Sequence, residues 1–339
     1  MRAALVEAAG RPPAPADVPE PRRGPGDALV RISAAALNQV ELHIWNGHFF
    51  DGPPRPPYVI GVEGIGVGQE GERLAPGTRV RVEYVHPGYG RDGAVAEYAV
   101  APEEPDASDR ASQASVAPIG AEVDDTEAAA LGVPVFTALM CLERAEAAGA
   151  SLDGAHVLVT AATGAVGTIA VQLAKLMGAA RVVAAGRNPE RLERVSARGA
   201  DATVEFRDGL SVAELRALFA EASGGRLDVA LDPLWGEPAR AVIEALARDG
   251  VYVSFGQAAS PVAELSGIPL RNRRVTLVGH SGAWATPQER QAALARAHEL
   301  AARSGTRLTL DTEEVPLDEV EHAWARLAHS AGRRLVVRP

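Results

Sequence analysis

Small residues at a fixed spacing give the first sign of chemistry in this sequence. They lie in "HVLVTAATGAVGTIAVQLAKLMGA", which runs from His156 to Ala179 and starts with an apolar, β-branched run typical of a buried strand. Ala162, Gly164 and Gly167 follow with the G-x-G-x-x-G spacing, alanine taking the first place, and a helix-period apolar segment comes next. Such a turn brings backbone N–H groups and the positive end of a helix close to a pyrophosphate. We therefore predict a dinucleotide-binding turn, and the alternative is a purely structural glycine turn. Its predicted cofactor-binding residues are Ala162, Thr163, Gly164, Ala165, Val166 and Gly167.

The end of the next predicted strand indicates which dinucleotide binds. NAD-binding units carry Asp or Glu there, roughly 20 residues after the glycines, to hold the ribose 2′-hydroxyl. This strand ends "AAGRNPERL", with Gly186, Arg187 and Asn188 at its tip and no acid. A guanidinium binds a phosphate through two parallel hydrogen bonds. We predict that Arg187 holds a 2′-phosphate beside Gly186, with Arg191 as a second contact, so the cofactor is NADPH. The alternative is that both arginines are solvated surface charges.

Composition excludes several other classes of protein. The net charge of -10 over 339 residues argues against nucleic acid or an anionic membrane as the main partner, and the amino-terminal sequence lacks the long apolar core of a signal peptide. Cys141 is the sole cysteine, which rules out an internal disulfide and favours a reducing cytoplasmic setting. Lys175 is the sole lysine and no tyrosine precedes it by four residues, so the Tyr-x-x-x-Lys site of short-chain dehydrogenases is absent. A small-molecule substrate is expected.

The order of the predicted elements gives the fold class. Up to about Ala117, short apolar runs broken by Gly and Pro predict a β-rich unit. From about Ile119, a helix over Thr126–Ala148 precedes strands that alternate with helices at 165–178, 189–198, 211–222 and 237–247, which is typical of a doubly wound parallel sheet. The closing segments are expected to return to the β-rich domain. We thus predict an α/β protein with a dinucleotide-binding domain at 119–282 and a discontinuous domain at 1–118 and 283–339.

Several motifs together resemble a known family. "ALNQVELHIWNG", "IGVEGIGVG", "DGAVAEYAV", "AAALGVPVFTAL", "LDVALDPLWG", "GVYVSFG" and "GRRLVV" follow in the order expected for the zinc-independent, quinone-oxidoreductase branch of the medium-chain dehydrogenase/reductases. This resemblance implies a GroES-like catalytic domain and a Rossmann domain, with NADPH in the cleft between them. It also implies a homodimer formed through the edge strand at Arg274–Gly279.

Departures from the zinc enzymes of that family predict that no metal takes part. Those enzymes carry Gly-His-Glu where this chain has Gly61, Val62 and Glu63, and a catalytic cysteine where it has Asn38. Their structural zinc needs four cysteines. The histidines left in the domain are interpreted as surface or hydrogen-bonded groups; they are His43, His48 and His86.

The resemblance also suggests which residues surround the reacting atoms. It places Asn38 beside substrate and nicotinamide, Thr137 at the cofactor carboxamide, and Phe255 and Gly256 against the nicotinamide. The alternatives are that Asn38 caps a turn and that Thr137 faces the carbonyls of its own helix. Trp45, Phe49 and Phe50 form an aromatic group that either lines a pocket for a flat substrate or packs in the core.

The expected lack of a catalytic metal restricts the class of substrate. No Lewis acid would stabilise an alkoxide, so the hydride acceptor is expected to be already activated: a quinone, an enone or enal, or an enoyl thioester. Related enoyl reductases carry a tyrosine proton donor where this chain has Phe49, and although Tyr84, Tyr89 and His48 are substitutes to consider, the proton donor stays unknown. Because water can protonate a reduced quinone, a quinone or other activated C=C is favoured. The alternatives are an enoyl-thioester or polyketide-tailoring reductase, and a non-catalytic NADPH-binding protein.

Overall fold

The computed structural model describes residues 1–48, 52–84, 87–105, 113–121, 123–207, 209–329 and 332–339. The chain forms two compact units. Unit 1 comprises Met1–Val133, Thr286–Glu289 and Leu310–Pro339, and unit 2 comprises Pro134–Ala285 and Arg290–Thr309. Within the described residues, no helix combines the length and the apolar character needed to span a bilayer.

Unit 1 begins as a β-rich fold. Its first strands are β1 (Arg2–Val6), β2 (Ala14–Asp17), β3 (Asp27–Ala36), β4 (Tyr58–Val59), β5 (Glu63–Glu70), β6 (Arg79–Glu83), β7 (Tyr98–Pro102) and β8 (Ser115–Pro118), and its first helices are α1 (Gln39–Trp45) and α2 (Asp125–Ala130). The order β2-β1-β4 makes a three-stranded sheet, and β3 pairs antiparallel with β5 and β7. Buried side chains alternate with more exposed ones along the strands. In β3, for example, Ala28, Val30 and Ile32 are buried in the core.

Unit 2 is a doubly wound α/β fold. Its strands are β9 (His156–Val159), β10 (Arg181–Gly186), β11 (Ala202–Glu205), β12 (Val229–Asp232), β13 (Val251–Ser254) and β14 (Thr276–Gly279). Its helices are α3 (Val133–Ala147), α4 (Ala165–Leu176), α5 (Pro189–Ser196), α6 (Val212–Ala222), α7 (Gly236–Ala245), α8 (Gly267–Asn272) and α9 (Pro287–Arg303), with a 3-10 turn at Gly282–Trp284. These strands pair in parallel, in the order β11-β10-β9-β12-β13-β14. The predicted Rossmann sheet is confirmed. Successive strands are added on one side of β9 up to β11 and on its other side from β12 to β14, so the direction of strand addition reverses between β9 and β12.

The chain returns to unit 1 at its carboxyl end. A strand β15 (Thr312–Pro316), a 3-10 turn (Leu317–Glu319), α10 (Val320–Ala328) and a strand β16 (Arg334–Arg338) follow α9. They complete a seven-stranded sheet of order β15-β16-β3-β5-β6-β8, in which β7 also pairs with β3. The β-rich fold is therefore discontinuous, as its sequence pattern predicts.

The unit boundaries differ from the predicted 118 and 283 for reasons of packing. Residues after 118 stay in unit 1 because α2 buries Ala128, Ala129 and Ala130 against β3, β5 and β16. Most of α9 belongs to unit 2, where Arg296 pairs with Glu143 of α3 at 2.6 Å.

The single helix predicted over Thr126–Ala148 is wrong, since α2 and α3 are separate helices interrupted at Leu131 and Gly132. A Cβ at Gly132 would overlap the buried carboxylate of Glu63. The break also frees the N–H of Val133, which donates to Glu63 Oε2 at 2.9 Å. A carboxylate some 70 residues earlier in the chain thus ends α2.

Candidate functional site

The dinucleotide turn is a tight connection from β9 to α4. Ala161 has a positive φ of 46°, and the N–H of Ala162 donates to Ala185 O of β10 at 2.9 Å. A Cβ at Gly167 would lie 2.6 Å from both Ala161 O and Ala162 Cα. Only glycine at this position allows α4 to start so close to the turn.

The amino end of α4 suits an anion. Gly164 is its N-cap and has no side chain with which to accept from the first-turn N–H groups of Ala165, Val166 and Gly167. These N–H groups and the helix dipole favour negative charge. Thr163 lies beside the end of β10, where a Cβ on Gly186 would be 3.0 Å from its Cγ2. The structure therefore brings the glycine turn and the β10 tip together.

Two arginines follow the β10 tip. Gly186 is buried and the Arg187 side chain is exposed. Asn188 caps α5 by accepting from the Arg191 N–H at 2.9 Å, which places Arg191 in the first turn of that helix. Arg187 is thus exposed at the carboxyl end of β10, next to the turn.

The other predicted cofactor residues lie at the ends of β13 and β14. Gly256 follows β13, and a Cβ there would lie 2.7 Å from Pro233 O, while the Phe255 N–H donates to Asp232 O at 3.0 Å. Thr137 of α3 faces the 3-10 turn after β14, since a Cβ on Gly282 would lie 3.7 Å from its Oγ1. All these residues occupy the carboxyl edge of the parallel sheet, where open α/β sheets bind ligands.

A buried carboxylate at this edge escaped the sequence reasoning. Asp232 ends β12 with 0% exposure, and the hydroxyls of Thr160 and Tyr252 both donate to it. Trp235 N donates to Asp232 Oδ2 at 2.8 Å. Burial raises the pKa of Asp232, and these donors oppose that rise. The signal in the sequence was an acid at the end of the apolar run "VALD".

In unit 1, Asn38 belongs to a buried polar cluster. It is 2% exposed, and its Nδ2 donates to Ala36 O at 3.0 Å and Glu63 Oε1 at 3.1 Å. Its Oδ1 accepts from Arg334 Nη2 at 2.8 Å. Both ends of the amide are occupied within the unit, so a contact of Asn38 with substrate stays a prediction.

Glu63 is the centre of the same cluster. Its carboxylate is 0% exposed and accepts from Arg334 Nη2 at 2.6 Å and Arg81 Nη1 at 3.2 Å. Burial raises the pKa of Glu63, and the two guanidinium charges oppose the rise. Two cations already surround this carboxylate, and Val62 beside it offers no ligand atom, so this donor set does not suit a divalent metal. Across the described residues, no three His, Cys, Asp or Glu side chains are grouped as a metal site requires.

Glu41 is the second carboxyl of the cluster and was also missed from the sequence. It is buried, and its Oε1 accepts from the Asn38 N–H at 3.1 Å. Burial raises the pKa of Glu41 to about 7, opposed by that N–H and by the charge of Arg334. Asn38 followed three residues later by Glu has the spacing of a helix capping box, which was the available signal.

Two of the three groups considered as proton donors, Tyr84 and Tyr89, are engaged with backbone carbonyls, whereas His48 is exposed. The Tyr84 hydroxyl donates to Val100 O at 2.9 Å and the Tyr89 hydroxyl donates to Gly52 O. Trp45 is partly buried and packs edge-on against the buried Trp324, with ring centroids 6.2 Å apart. Phe49, Phe50 and His86 lie outside the described residues.

Comparison with known proteins gives matches to both units. Residues 24–106 match the family model of the alcohol dehydrogenase GroES-like domain, and residues 165–302 match the model called zinc-binding dehydrogenase. An alcohol dehydrogenase of Rhizobium meliloti (strain 1021) is 32% identical over 247 residues, which are 64% of this chain and 66% of the relative. The chloroplastic quinone-oxidoreductase QR1 of Triphysaria versicolor is 32% identical over 200 residues, 56% of each chain. The matched region thus spans 56–66% of these relatives.

A solved structure covers the full length. The quinone oxidoreductase from Thermus thermophilus, also solved as a complex with NADPH, superposes with a TM-score of 0.77 and 29% identity, covering 100% of both chains.

Proposed function

The chain belongs to the medium-chain dehydrogenase/reductase superfamily, in its quinone oxidoreductase-like branch, and on this basis we propose that it is an NADPH-dependent oxidoreductase that reduces a quinone or another activated C=C without a catalytic metal. The observation that carries the proposal is the glycine turn at the carboxyl edge of the sheet, beside a strand tip that ends in an exposed arginine and no acid.

The residues of unit 2 fit this cofactor. Ala162–Gly167 and the amino end of α4 receive the pyrophosphate, because the backbone is open there and the helix end is positive. Arg187 and Arg191, next to Gly186, receive the 2′-phosphate, which an acid at this place would repel. Thr137, Phe255 and Gly256 form the nicotinamide end of the site. When bound, NADPH supplies the hydride.

Unit 1 supports an acceptor that is already activated. Zinc as a Lewis acid would need ligands where this chain has Val62, Asn38 and a Glu63 carboxylate held by two guanidinium groups. A quinone, enone or enal takes the developing charge on its own oxygen, so the protein needs only to orient it and to exclude water. Asn38, fixed by Arg334 and Glu63, is the proposed positioning residue for substrate.

The proton comes from water in this proposal. The hydroxyls of Tyr84 and Tyr89 donate to backbone carbonyls, which leaves them poorly placed to protonate a product. Reduced quinones are protonated readily by solvent, so this reaction tolerates the lack of a dedicated acid best.

Oxidation of NADPH by the purified protein tests the proposal, with an ortho-quinone as acceptor and NADH in a parallel assay. Turnover with NADPH and far slower turnover with NADH is expected. Turnover of a crotonyl-type thioester but not of quinones or enones would favour the thioester reductase instead. NADPH binding with no turnover of any of these acceptors would favour the non-catalytic alternative, and failure to bind NADPH would contradict all three.

A further inference from the structure

We propose that Asp232 is a positioning residue that holds the two ends of the cofactor site in register, the pyrophosphate turn on one side and the nicotinamide loop on the other. The inference rests on the proposed function, because it concerns how the same site binds NADPH.

The location of Asp232 is the first argument. It closes β12, and β12 and β9 are the neighbouring strands at which the strand order reverses. Ligands of open α/β sheets bind at such a point, outside the carboxyl ends of the strands. Asp232 is therefore at the floor of the crevice, while its 0% exposure keeps it from touching a ligand itself.

One contact of Asp232 reaches the pyrophosphate turn. The Thr160 hydroxyl donates to Asp232 Oδ1, and the Thr160 N–H donates to Leu231 O at 3.0 Å. Thr160 directly precedes Ala161, whose positive φ starts the turn into α4. The carboxylate thus fixes the last residue before the turn with respect to β12.

The other oxygen reaches the nicotinamide side. Asp232 Oδ2 accepts from Trp235 N, which holds the loop after β12 in a conformation with φ of 60° at Trp235. The loop after β12 also contacts the loop after β13. Ala258 N donates to Pro233 O at 2.9 Å, and Gly256 packs against the same carbonyl oxygen. One carboxylate therefore connects both loops that the proposed function assigns to the cofactor.

Tyr252 completes the arrangement from β13. Its hydroxyl donates to Asp232 Oδ2 and its ring lies 6.0 Å from that of Trp235. The hydroxyl and N–H groups around the carboxylate are all donors to it, and an ionised carboxylate is an acceptor at all of its sites. The carboxylate can therefore accept from all three groups at once, which joins the end of β9, the loop after β12 and β13 at one side chain.

The test compares Thr160→Val with Thr160→Ser. Valine keeps the shape but removes the hydroxyl that links Asp232 to the turn, whereas serine keeps the hydroxyl. The dissociation constants of NADPH and of adenosine 2′-monophosphate are measured by titration. This monophosphate probe occupies the Arg187 side and lacks both the pyrophosphate and the nicotinamide.

The expected result is a selective loss. Thr160→Val weakens NADPH binding about tenfold, equivalent to about 1.4 kcal/mol, and leaves the affinity for the monophosphate probe within about twofold of wild type. Thr160→Ser returns NADPH affinity to the wild-type value. Tyr252→Phe, which removes the β13 donor, weakens NADPH in the same selective way.

A purely structural role gives a different pattern. Loss of both ligands in parallel with a lower melting temperature would overturn the positioning role, and so would unchanged NADPH binding in both Thr160→Val and Tyr252→Phe. Ser223→Ala is the control, because it removes another buried hydroxyl, one without a hydrogen-bond partner among the described residues. If the wild-type protein binds neither NADPH nor the probe, the proposed function fails and the inference falls with it; if it binds both and the variants match it, only the inference fails.

Discussion

Arg187 provides the sharpest test at the scale of single residues. Replacing it by alanine should weaken NADPH by about 10- to 100-fold, the loss expected when hydrogen bonds to a charged group disappear, and should change NADH little. Titration of both dinucleotides measures the difference. Arg216→Ala is the matched control, since Arg216 is an exposed arginine on α6. Equal losses for the two dinucleotides would remove Arg187 from the 2′-phosphate site.

Glu41 makes the stability of unit 1 depend on pH. Its pKa is about 7 in the folded chain, above the ordinary value of 4.5, so between these values the folded state binds more protons than the unfolded state. The stabilisation is complete below pH 4.5 and is lost as the pH rises through 7. Glu41→Gln, which mimics the protonated carboxyl, should melt near the wild-type temperature at pH 5 and several degrees higher at pH 8.5, a gain of roughly 1–3 kcal/mol.

The control for Glu41 is Glu20→Gln, which changes an exposed carboxyl of the same unit. Thermal unfolding of the three proteins is followed over the pH series. A difference between Glu41→Gln and wild type that stays constant with pH would contradict the assignment.

Sequence could reveal only the local part of the site. The turn at Ala162–Gly167 is a short-range pattern, and so is the end of β10, where Arg187 stands in place of an acid. The structure places the turn and this strand end side by side. The pairing of Glu63 with Arg334 was hidden because the two are 271 residues apart, and no periodicity relates two positions so distant. Asp232 was hidden for the same reason, since its partners come from three different strands and loops.

At the scale of elements, the start of α4 depends on Gly167. A methyl group there would lie 2.6 Å from the backbone of the turn, so Gly167→Ala must push α4 away from β9. We expect a loss of about 1–3 kcal/mol in the free energy of unfolding and at least tenfold weaker NADPH binding. Urea unfolding and ligand titration measure both quantities.

Gly267→Ala is the control for that substitution, because a Cβ at Gly267 meets no atom of the described residues within 4 Å. An alanine at 167 that leaves NADPH affinity unchanged would show that the register of α4 is not needed for binding.

Helices whose ends are marked by neighbouring residues in the sequence were predicted well. A helix end determined by a residue far away in the sequence was not. Asn188 and Pro189 mark the start of α5, and Ser211 with Glu214 marks that of α6, so both helices were expected within a few residues. The gap between α2 and α3 was missed because its cause is the Glu63 carboxylate, which occupies the space that a side chain at 132 would need.

At the scale of the whole molecule, β14 is the edge strand of the six-stranded sheet of unit 2. Thr276 N and His280 N donate towards the β13 side, so by the alternation of strand N–H groups that of Leu277 points away from the sheet. We propose that this edge pairs with a second copy to form the homodimer. Exposed Ile268 and Trp284 in the neighbouring segments add apolar surface.

Leu277→Pro tests the proposed dimer. It removes the outward N–H and keeps the β13 ladder, so a folded monomer is expected, whereas Val278→Pro breaks the ladder and should unfold unit 2. Sedimentation velocity gives the mass and circular dichroism the folded state. A monomeric wild-type protein, or a Leu277→Pro dimer, would contradict this interface.

The Glu63 cluster has a consequence for synthesis on the ribosome. Arg334, which neutralises Glu63, is translated 271 residues after it, a delay on the order of tens of seconds at ordinary elongation rates. Unit 2 is complete at Thr309, before β15 and β16 emerge. The nascent chain therefore completes unit 2 first, while unit 1 still lacks two strands and one of the two cations that surround Glu63. A chaperone that binds the nascent chain would therefore contact a complete unit 2 that is preceded in sequence by an incomplete unit 1.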